Sequence, residues 1–513
     1  MIPQIGDIYC VYSKQLQQYT ACQVTDYEED ESGGTGLLAA VLTLDWTGKE
    51  LPDTDQLYRM KPLICNYYFW NDKLDHSYVK AQVPNGYMYV GNIPPLTTQK
   101  TNSYGGGWSN GDSVYRQHQW EQIDPALRRQ FKEAADDYSE VEIGGVPVLR
   151  RTHRLSESFL EGLQDWSELK KLPCLTEIHT NRYDEELLAY LLSNPFRIRL
   201  SLSGEYPPVL DLSNTHISDL SIYHVNHLEK LMVNQDTTQL NLSGNPSARW
   251  TITAPDQGQG MTLSVNNPDI LFCFKGLEQL ESLYVNNIQQ LDIRQLVRRF
   301  PHLKQLWLQG KPGMLHHVNS LQQLTDLSSF STHDLFGFTG KEFPTPDQLH
   351  HLSRLWLSSL PADAARHIQK IYKARVPLGL DLSVTKPRKP EWLEENVDNP
   401  FRDWEGRESI TAAHARKAAQ LYKKVLRGIR KLDMEAEDAS ILEQLTVMVT
   451  DYTITFNKMD QRKRFIETIE REEIDTILQQ LLDQAEQRLN EHNKSKVMNR
   501  EQLNALFDEL RDF

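Results

Sequence analysis

Leu280-Glu281-Ser282-Leu283-Tyr284-Val285, Leu303-Lys304-Gln305-Leu306-Trp307-Leu308 and Leu352-Ser353-Arg354-Leu355-Trp356-Leu357 repeat one phrase, and the reading of that phrase decides the fold. Successive side chains of a strand point to opposite faces, so the last three residues bury two apolar groups and display the one between them. Looser copies stand at Leu228-Glu229-Lys230-Leu231-Met232-Val233, Leu210-Asp211-Leu212-Ser213-Asn214 and Leu240-Asn241-Leu242-Ser243-Gly244-Asn245, the last two with a turn Asn. Between them, Trp250 to Gly260 reads as an irregular insertion. By this alternation Met232, Tyr284, Trp307 and Trp356 take equivalent displayed positions, flanked by Asn286, Gln305, Gln309 and Arg354.

The interval is 23 residues from Leu283 to Leu306, 21 from Leu306 to Leu327 and 28 from Leu327 to Leu355. The phrase L-x-x-L-x-L at about 20 to 29 residues resembles a bacterial leucine-rich repeat. That resemblance implies an irregular solenoid over residues 173–385 with an exposed concave sheet, and the helical stretch Asp184 to Leu192 as the cap on its first turn. Large rings in register on such a sheet mark a place where something docks. The partner-binding candidates are therefore Met232, Tyr284, Asn286, Gln305, Trp307, Gln309, Arg354 and Trp356. The occupant is either another protein or this chain's own flanking domains. A base-stacking platform would also need a basic groove, and only Lys304 and Arg354 lie near.

Residues 1–98 read as short strands, Ile8 to Val11, Thr20 to Val24, Leu38 to Leu44 and Tyr87 to Val90, and so as a β-rich, SH3-like barrel. The acidic run Asp26, Glu28, Glu29, Asp30 and Glu31 into Gly33-Gly34-Thr35-Gly36 reads as a hairpin tip. The segments Ile5-Gly6-Asp7-Ile8-Tyr9, Tyr19 to Val24, Pro62-Leu63-Ile64 and the aromatic block Tyr67-Tyr68-Phe69-Trp70, taken as a strand, resemble the immunity-protein 26 type of domain. That resemblance implies a binding role. A Gly-rich linker and helical connector covers 99–172: a helix from Asp124-Pro125 to Tyr138 with Leu127, Phe131 and Ala134 or Ala135 on one face, a strand at Val146 to Leu149, and a helix over Ser156 to Leu172. Within it, Gly107-Trp108-Ser109-Asn110-Gly111 has the form G-x-S-x-G, but no hydrophobic strand precedes it as a nucleophile elbow requires. An enzyme would have Ser109, or the region Tyr67 to Asp75, as its site.

Beyond the Pro- and Trp-rich linker 386–408, whose Phe401 and Trp404 are expected to cap the final repeat, residues 409–513 read as a helical bundle. Leu421, Val425, Ile429 and Leu432 form one face; Arg416, Lys423, Arg427 and Arg430 form another. Ile466, Ile469, Ile477, Leu478, Leu481, Leu482 and Leu489 mark a further helix, and Asn499 to Leu510 the last. The architecture resembles leucine-rich-repeat ubiquitin ligases of bacteria, but their chemistry needs a thiolate in the helical part. All five cysteines stand at or before Cys273.

A formal net charge of -15 argues against nucleic acid and anionic membrane as partners. No apolar run nears the roughly 18 residues of a membrane span, and the first residues lack the pattern of a signal peptide. The cysteines show no C-x-x-C spacing, which suits a reducing compartment. The pairs His316-His317 and His350-His351 lack metal-ligand spacing. The expectation is a multidomain α/β protein, cytoplasmic and bacterial, without cofactor or metal. It would act as a non-enzymatic scaffold that binds another protein, in an immunity or regulatory role.

Overall fold

The computed structural model describes residues 2–29, 36–246, 249–461, 464–494 and 497–513. The acidic turn read at Asp30, Glu31 and Gly33-Gly34-Thr35 lies outside them. The chain forms two compact units, Met1–Pro387 and Arg388–Phe513.

The first unit opens with β1 (Asp7–Ser13), β2 (Gln18–Glu29), β3 (Leu37–Gly48), β4 (His76–Lys80) and β5 (Met88–Asn92), paired antiparallel in the order β4-β3-β2-β1-β5. Both faces are covered. Ile8, Cys10, Ala21, Leu42 and Leu44 pack on one side, and Tyr9, Cys22, Val24, Val41 and Val79 on the other. This is why Leu37 to Leu44 is almost continuously apolar. Among the described residues no pairing joins β4 to β5, the strands at the two ends.

The aromatic block is a turn, not the expected strand, because Tyr68 adopts a left-handed φ of 48°. The turn sends Tyr67 and Tyr68 into a cluster with Trp120, Phe131 and Phe196. Trp120 and Phe131 come from α1 (Asp112–Gln122) and α2 (Pro125–Ala135). Asp124 caps α2 through its side chain, with Pro125 as its first residue. Leu127 points outward, whereas Phe131 and Ala134 are buried. The sequence hid α1 because one of its buried residues, Gln117, is polar; its side chain exchanges hydrogen bonds of 3.0 Å with the Asn66 amide N–H and the Asn66 Oδ1.

An eleven-stranded sheet follows: β6 (Arg154–Leu155), β7 (Glu177–Arg182), β8 (Ile198–Glu205), β9 (Ile217–Ile222), β10 (Gln239–Leu242), β11 (Thr262–Val265), β12 (Ser282–Asp292), β13 (Gln305–His316), β14 (Ser329–Phe336), β15 (Arg354–Pro361) and β16 (Asp381–Arg388), ordered as in sequence. The pairs from β6 to β15 are parallel, and their register aligns Ile178, Leu200, Leu220, Leu240, Leu263, Leu283, Leu306, Phe330 and Leu355 in one buried row. Burying such a side chain is worth about 1.5–3 kcal/mol, so this row holds neighbouring strands together. Phe330, not Leu327, is the partner of Leu306. The steps there are 24 and 25 residues, and the uneven 21 and 28 came from taking the leucine three residues too early.

The chain returns between these strands in two ways. From β8 to β12 the returns are themselves extended: Val209–Asp211, Lys230–Met232, Trp250–Thr253 and Phe274–Lys275 pair in parallel as a second, four-stranded sheet. The Trp250 segment is thus a strand with its indole buried, not an insertion. From β12 onward the returns are helical, including α4 (Ile293–Arg299) and α5 (Ala362–Tyr372), with α3 (Glu185–Ser193) playing that part between β7 and β8. Extended returns give steps of 20 to 23 residues and helical ones 22 to 25, because a helix advances only about 1.5 Å per residue against about 3.3 Å for a strand.

With β6 and β7 upstream of it, α3 is not the end cap. The paired strands Glu140–Ile143 and Val146–Leu149 contribute Val141, Ile143 and Val148 to the core there. The expected helix over Ser156 to Leu172 is two short pieces, Glu157–Leu160 and a 3-10 turn at Trp166–Lys171, separated by Gly162 and restarted by Asp165, which caps Ser167. At the far side, the Arg299 guanidinium donates to the carbonyls of Phe274 and Gly276 and lies over the Phe274 and Phe300 rings at 5.1 and 4.8 Å.

The second unit contains α6 (Pro390–Asn396), α7 (Ala412–Arg430), α8 (Asp438–Asp460), α9 (Thr468–Glu491) and α10 (Arg500–Leu510). Its core is built on Trp404, Tyr452, Phe456, Phe465 and the α7 residues Leu421, Val425 and Ile429. Phe401 and Trp404, expected to cap the last repeat, are core residues of this unit. Ile469, read as part of an apolar face, is 64% exposed in the first turn of α9. Among the described residues no helix is long and apolar enough to cross a membrane.

Candidate protein-binding face

In the register of the sheet, Tyr284 pairs with Trp307, Trp307 with Ser331 and Ser331 with Trp356. All four point away from the buried leucine row. Asn286 and Gln309 lie two residues beyond them, and Gln305 and Arg354 two residues before, on the same side of the strands. Met232 is the exception: it belongs to the return strand Lys230–Met232 and pairs with Asp211 and Thr253 in the other sheet. A return strand carries the same alternation as a sheet strand, so local pattern could not tell the two apart.

The aromatic row is interrupted rather than continuous. Tyr284 and Trp307 stack at 5.8 Å and 17°, whereas Trp356 stands two strands away, roughly 10 Å at about 4.8 Å per strand. Ser331 fills the gap and is 4% exposed. A groove of about 270 Å³ results, lined by Trp307, Gln309, Ser331, His333, Trp356 and Ser358 among others. The Arg354 guanidinium lies 4.8 Å from the Trp356 ring centre, which flattens that side chain onto the sheet. Trp307 and Trp356 are each 37% exposed.

The face is chemically mild. Ser282, Gln305, Ser329, Asn286, Gln309, His333 and Ser358 surround the rings, and Arg354 brings the one permanent charge on these rows of β12 to β15 among the described residues. Aromatic, hydroxyl and amide groups with an occasional Arg are the composition of adaptable protein-binding surfaces. Ser331 was missed in the sequence because the choice of Leu327 displaced the whole phrase.

Among the described residues, no hydrogen bond, ion pair or ring contact joins the N-terminal sheet to these rings. Contacts from that sheet, from the Tyr67 to Trp70 turn and from α1 run along the edge where the strands begin. Lys14 pairs with Glu281, Lys80 Nζ with Asp381 Oδ2 at 3.3 Å, and Tyr115 Oη and Gln119 Nε2 donate to Asp236 Oδ1 at 3.2 and 2.7 Å. The Arg197 amide donates to Tyr68 Oη at 2.8 Å. Glu281 also accepts from Lys304 at 2.9 Å and Gln259 at 3.2 Å. Burial pushes this carboxyl up, but the hydrogen bonds from Lys14, Lys304 and Gln259 outweigh it and hold it below its ordinary value.

The other sequence candidates have structural partners. The Ser109 and Thr43 hydroxyls lie 2.7 Å apart, and Thr43 Oγ1 donates to Asp75 Oδ2 at 2.6 Å. Tyr87 Oη donates to the Ser109 carbonyl at 2.9 Å, and the Trp108 indole to that of Lys80 at 2.9 Å. The motif thus clamps its own loop onto the sheet, and among the described residues no imidazole bonds the serine. His317 bonds Asp292 at 3.0 Å, while the His350 and His351 ring centres lie 4.2 Å apart with the rings tilted by 46°. Among the described residues no group of three or more His, Cys, Asp or Glu could hold a metal ion. No protein-family model matches this sequence, and no curated protein matches it.

Proposed function

We propose that residues 173–385 form a leucine-rich-repeat solenoid, preceded by a β-rich binding domain over residues 1–98, and that its aromatic face captures another protein without catalysing a reaction. One observation carries the reading: two indoles, in register and each 37% exposed, flank a groove on a face that the adjoining N-terminal sheet leaves open. Exposed rings of this size, surrounded by neutral hydrogen-bonding groups, fit a partner that inserts an apolar or aromatic side chain above Ser331 and hydrogen-bonds at the rim. The partner is neutral to acidic at that point, to suit Arg354. A toxin-neutralising or regulatory role in a bacterial cytoplasm follows from the immunity-type resemblance of the N-terminal segments.

The test is a side-by-side capture experiment with the native chain and the double variant Trp307→Ala/Trp356→Ala. Loss of a specific partner from the variant, with its circular dichroism unchanged, supports the reading. Equal recovery by both proteins sinks it.

A further inference from the structure

The second unit has a cleft unrelated to that face. It occupies about 300 Å³ between α6 and the first half of α7 and is lined by Trp392, Phe401, Arg402, Ala415, Arg416 and Lys423, with amides at Asn396, Asn399 and Gln420. Residues 416, 420 and 423 recur at i, i+4 and i+7, so Arg416, Gln420 and Lys423 share one ridge of α7, the two cations about 10 Å apart along the axis. The small side chains Ala412, Ala415 and Ala419 leave room beside that ridge.

Three cations border this cleft in a chain with a formal net charge of -15. They are not there to satisfy each other's neighbours. Among the described residues neither Arg416 nor Lys423 has an acidic partner, and Arg402 reaches only the adjacent Asp403, at 3.6 Å, with its Nε buried and without a hydrogen bond. Among the described residues the one acid in the lining, Glu405, is already engaged, by Arg388 at 3.0 Å and the Trp392 indole N–H at 3.1 Å. The walls are fixed in advance. Asn399 is 3% exposed, donates to Asn396 Oδ1 at 2.8 Å and accepts from the Phe401 amide at 3.0 Å, while Asn396 donates to the Trp392 carbonyl at 2.9 Å.

We propose that this cleft binds a small organic ligand bearing two or more oxyanion charges, with its anionic groups on Arg402, Arg416 and Lys423 and its body against Trp392. Cations without an acidic partner, as Arg416 and Lys423 are among the described residues, beside a concave, partly apolar site are the arrangement that recognises phosphate or carboxylate groups. Both sources present the same chemistry to the cleft.

Calorimetric titration of the full chain with pyrophosphate and, separately, with citrate tests this. Saturable binding of one equivalent of either probe is expected, weakened about tenfold or more, which is about 1.4 kcal/mol or more, by Arg416→Gln/Lys423→Gln. The pair Lys417→Gln/Lys424→Gln removes the same charge from the same helix outside the cleft and should leave affinity within about twofold. Glutamine keeps helix propensity, so both variants fold. Binding of pyrophosphate alone identifies a phosphorylated ligand, and binding of citrate alone a carboxylate one. No saturable binding of either probe at millimolar concentration, or equal weakening by both variants, overturns the proposal.

Discussion

Tyr284 and Trp307 stand opposite each other on adjacent parallel strands with their rings stacked at 5.8 Å, while Trp356 shares their row and has no aromatic ring partner among the described residues. Removing either tryptophan should therefore cost little stability, through different contacts, and weaken binding alike. Trp307→Ala loses an aromatic pair worth about 0.5–1.5 kcal/mol; Trp356→Ala loses an exposed cation–π contact worth about 0.5–1 kcal/mol. Chemical denaturation should show both variants within about 2 kcal/mol of the native protein. Affinity for the captured partner should fall about tenfold or more in each. A variant that unfolds would mean that its ring is a structural support.

Glu281 gathers Lys14 from the N-terminal sheet and Lys304 from the neighbouring strand entry, and its folded value is depressed. A depressed carboxylate contributes stability that is fully present above its unfolded value, near 4.5, and is lost as pH falls through the folded one. Hydrogen exchange at the Lys14 turn should accelerate as the pH drops below that range, after correction for intrinsic rates. Glu281→Gln leaves two cations facing each other, so added salt should slow exchange there in the variant but speed it in the native chain. The same salt response in both proteins would show that the cluster does not hold this contact.

Thr332 occupies a core position, paired with Leu308 and Leu357, and its hydroxyl has no hydrogen-bond partner among the described residues. An unsatisfied buried hydroxyl costs about 1–3 kcal/mol. Thr332→Val keeps the shape and removes the polar atom, and should raise stability by about 1 kcal/mol in urea titration. A loss would reveal a partner for that hydroxyl.

The thiols offer a check on packing. Cys10, Cys22, Cys65 and Cys174 are buried and Cys273 is partly exposed. Burial pushes Cys10 and Cys65 up to about 12 and Cys174 to about 11, and raises Cys22 as well. At mildly alkaline pH a disulfide reagent should titrate one thiol per native chain, Cys273, and all five after denaturation. Rapid reaction of a second thiol would place one of the buried four at the surface.

The placement of the tryptophans was legible because strand alternation is a local rule: Leu306-Trp307-Leu308 carries its own two faces. What local pattern could not supply was which sheet a strand joins. Leu231-Met232-Val233 and Leu283-Tyr284-Val285 obey the same alternation, yet one returns behind the other, and only pairing between distant residues separates them. Substitution within the pattern was the second obstacle, since Phe330 in a leucine position concealed the Ser331 gap. The third was buried polarity. Gln117 sits inside with its amide satisfied by Asn66, so α1 lacked the apolar stripe by which helices are recognised. The Tyr67 to Trp70 block failed differently, because a single left-handed residue, Tyr68, turned an apparent strand into a joint between two layers.

Arg299 stands where extended returns give way to helical ones. The four-stranded sheet ends there, at Phe274–Lys275, and a parallel strand without a neighbour offers its carbonyls to any extended chain that meets it, including another copy of the same protein. The guanidinium takes the carbonyls on either side of Lys275 and covers the adjoining ring. The change from extended to helical returns thereby falls where the carbonyls beside the last strand of the four-stranded sheet are already taken by a side chain of the same chain.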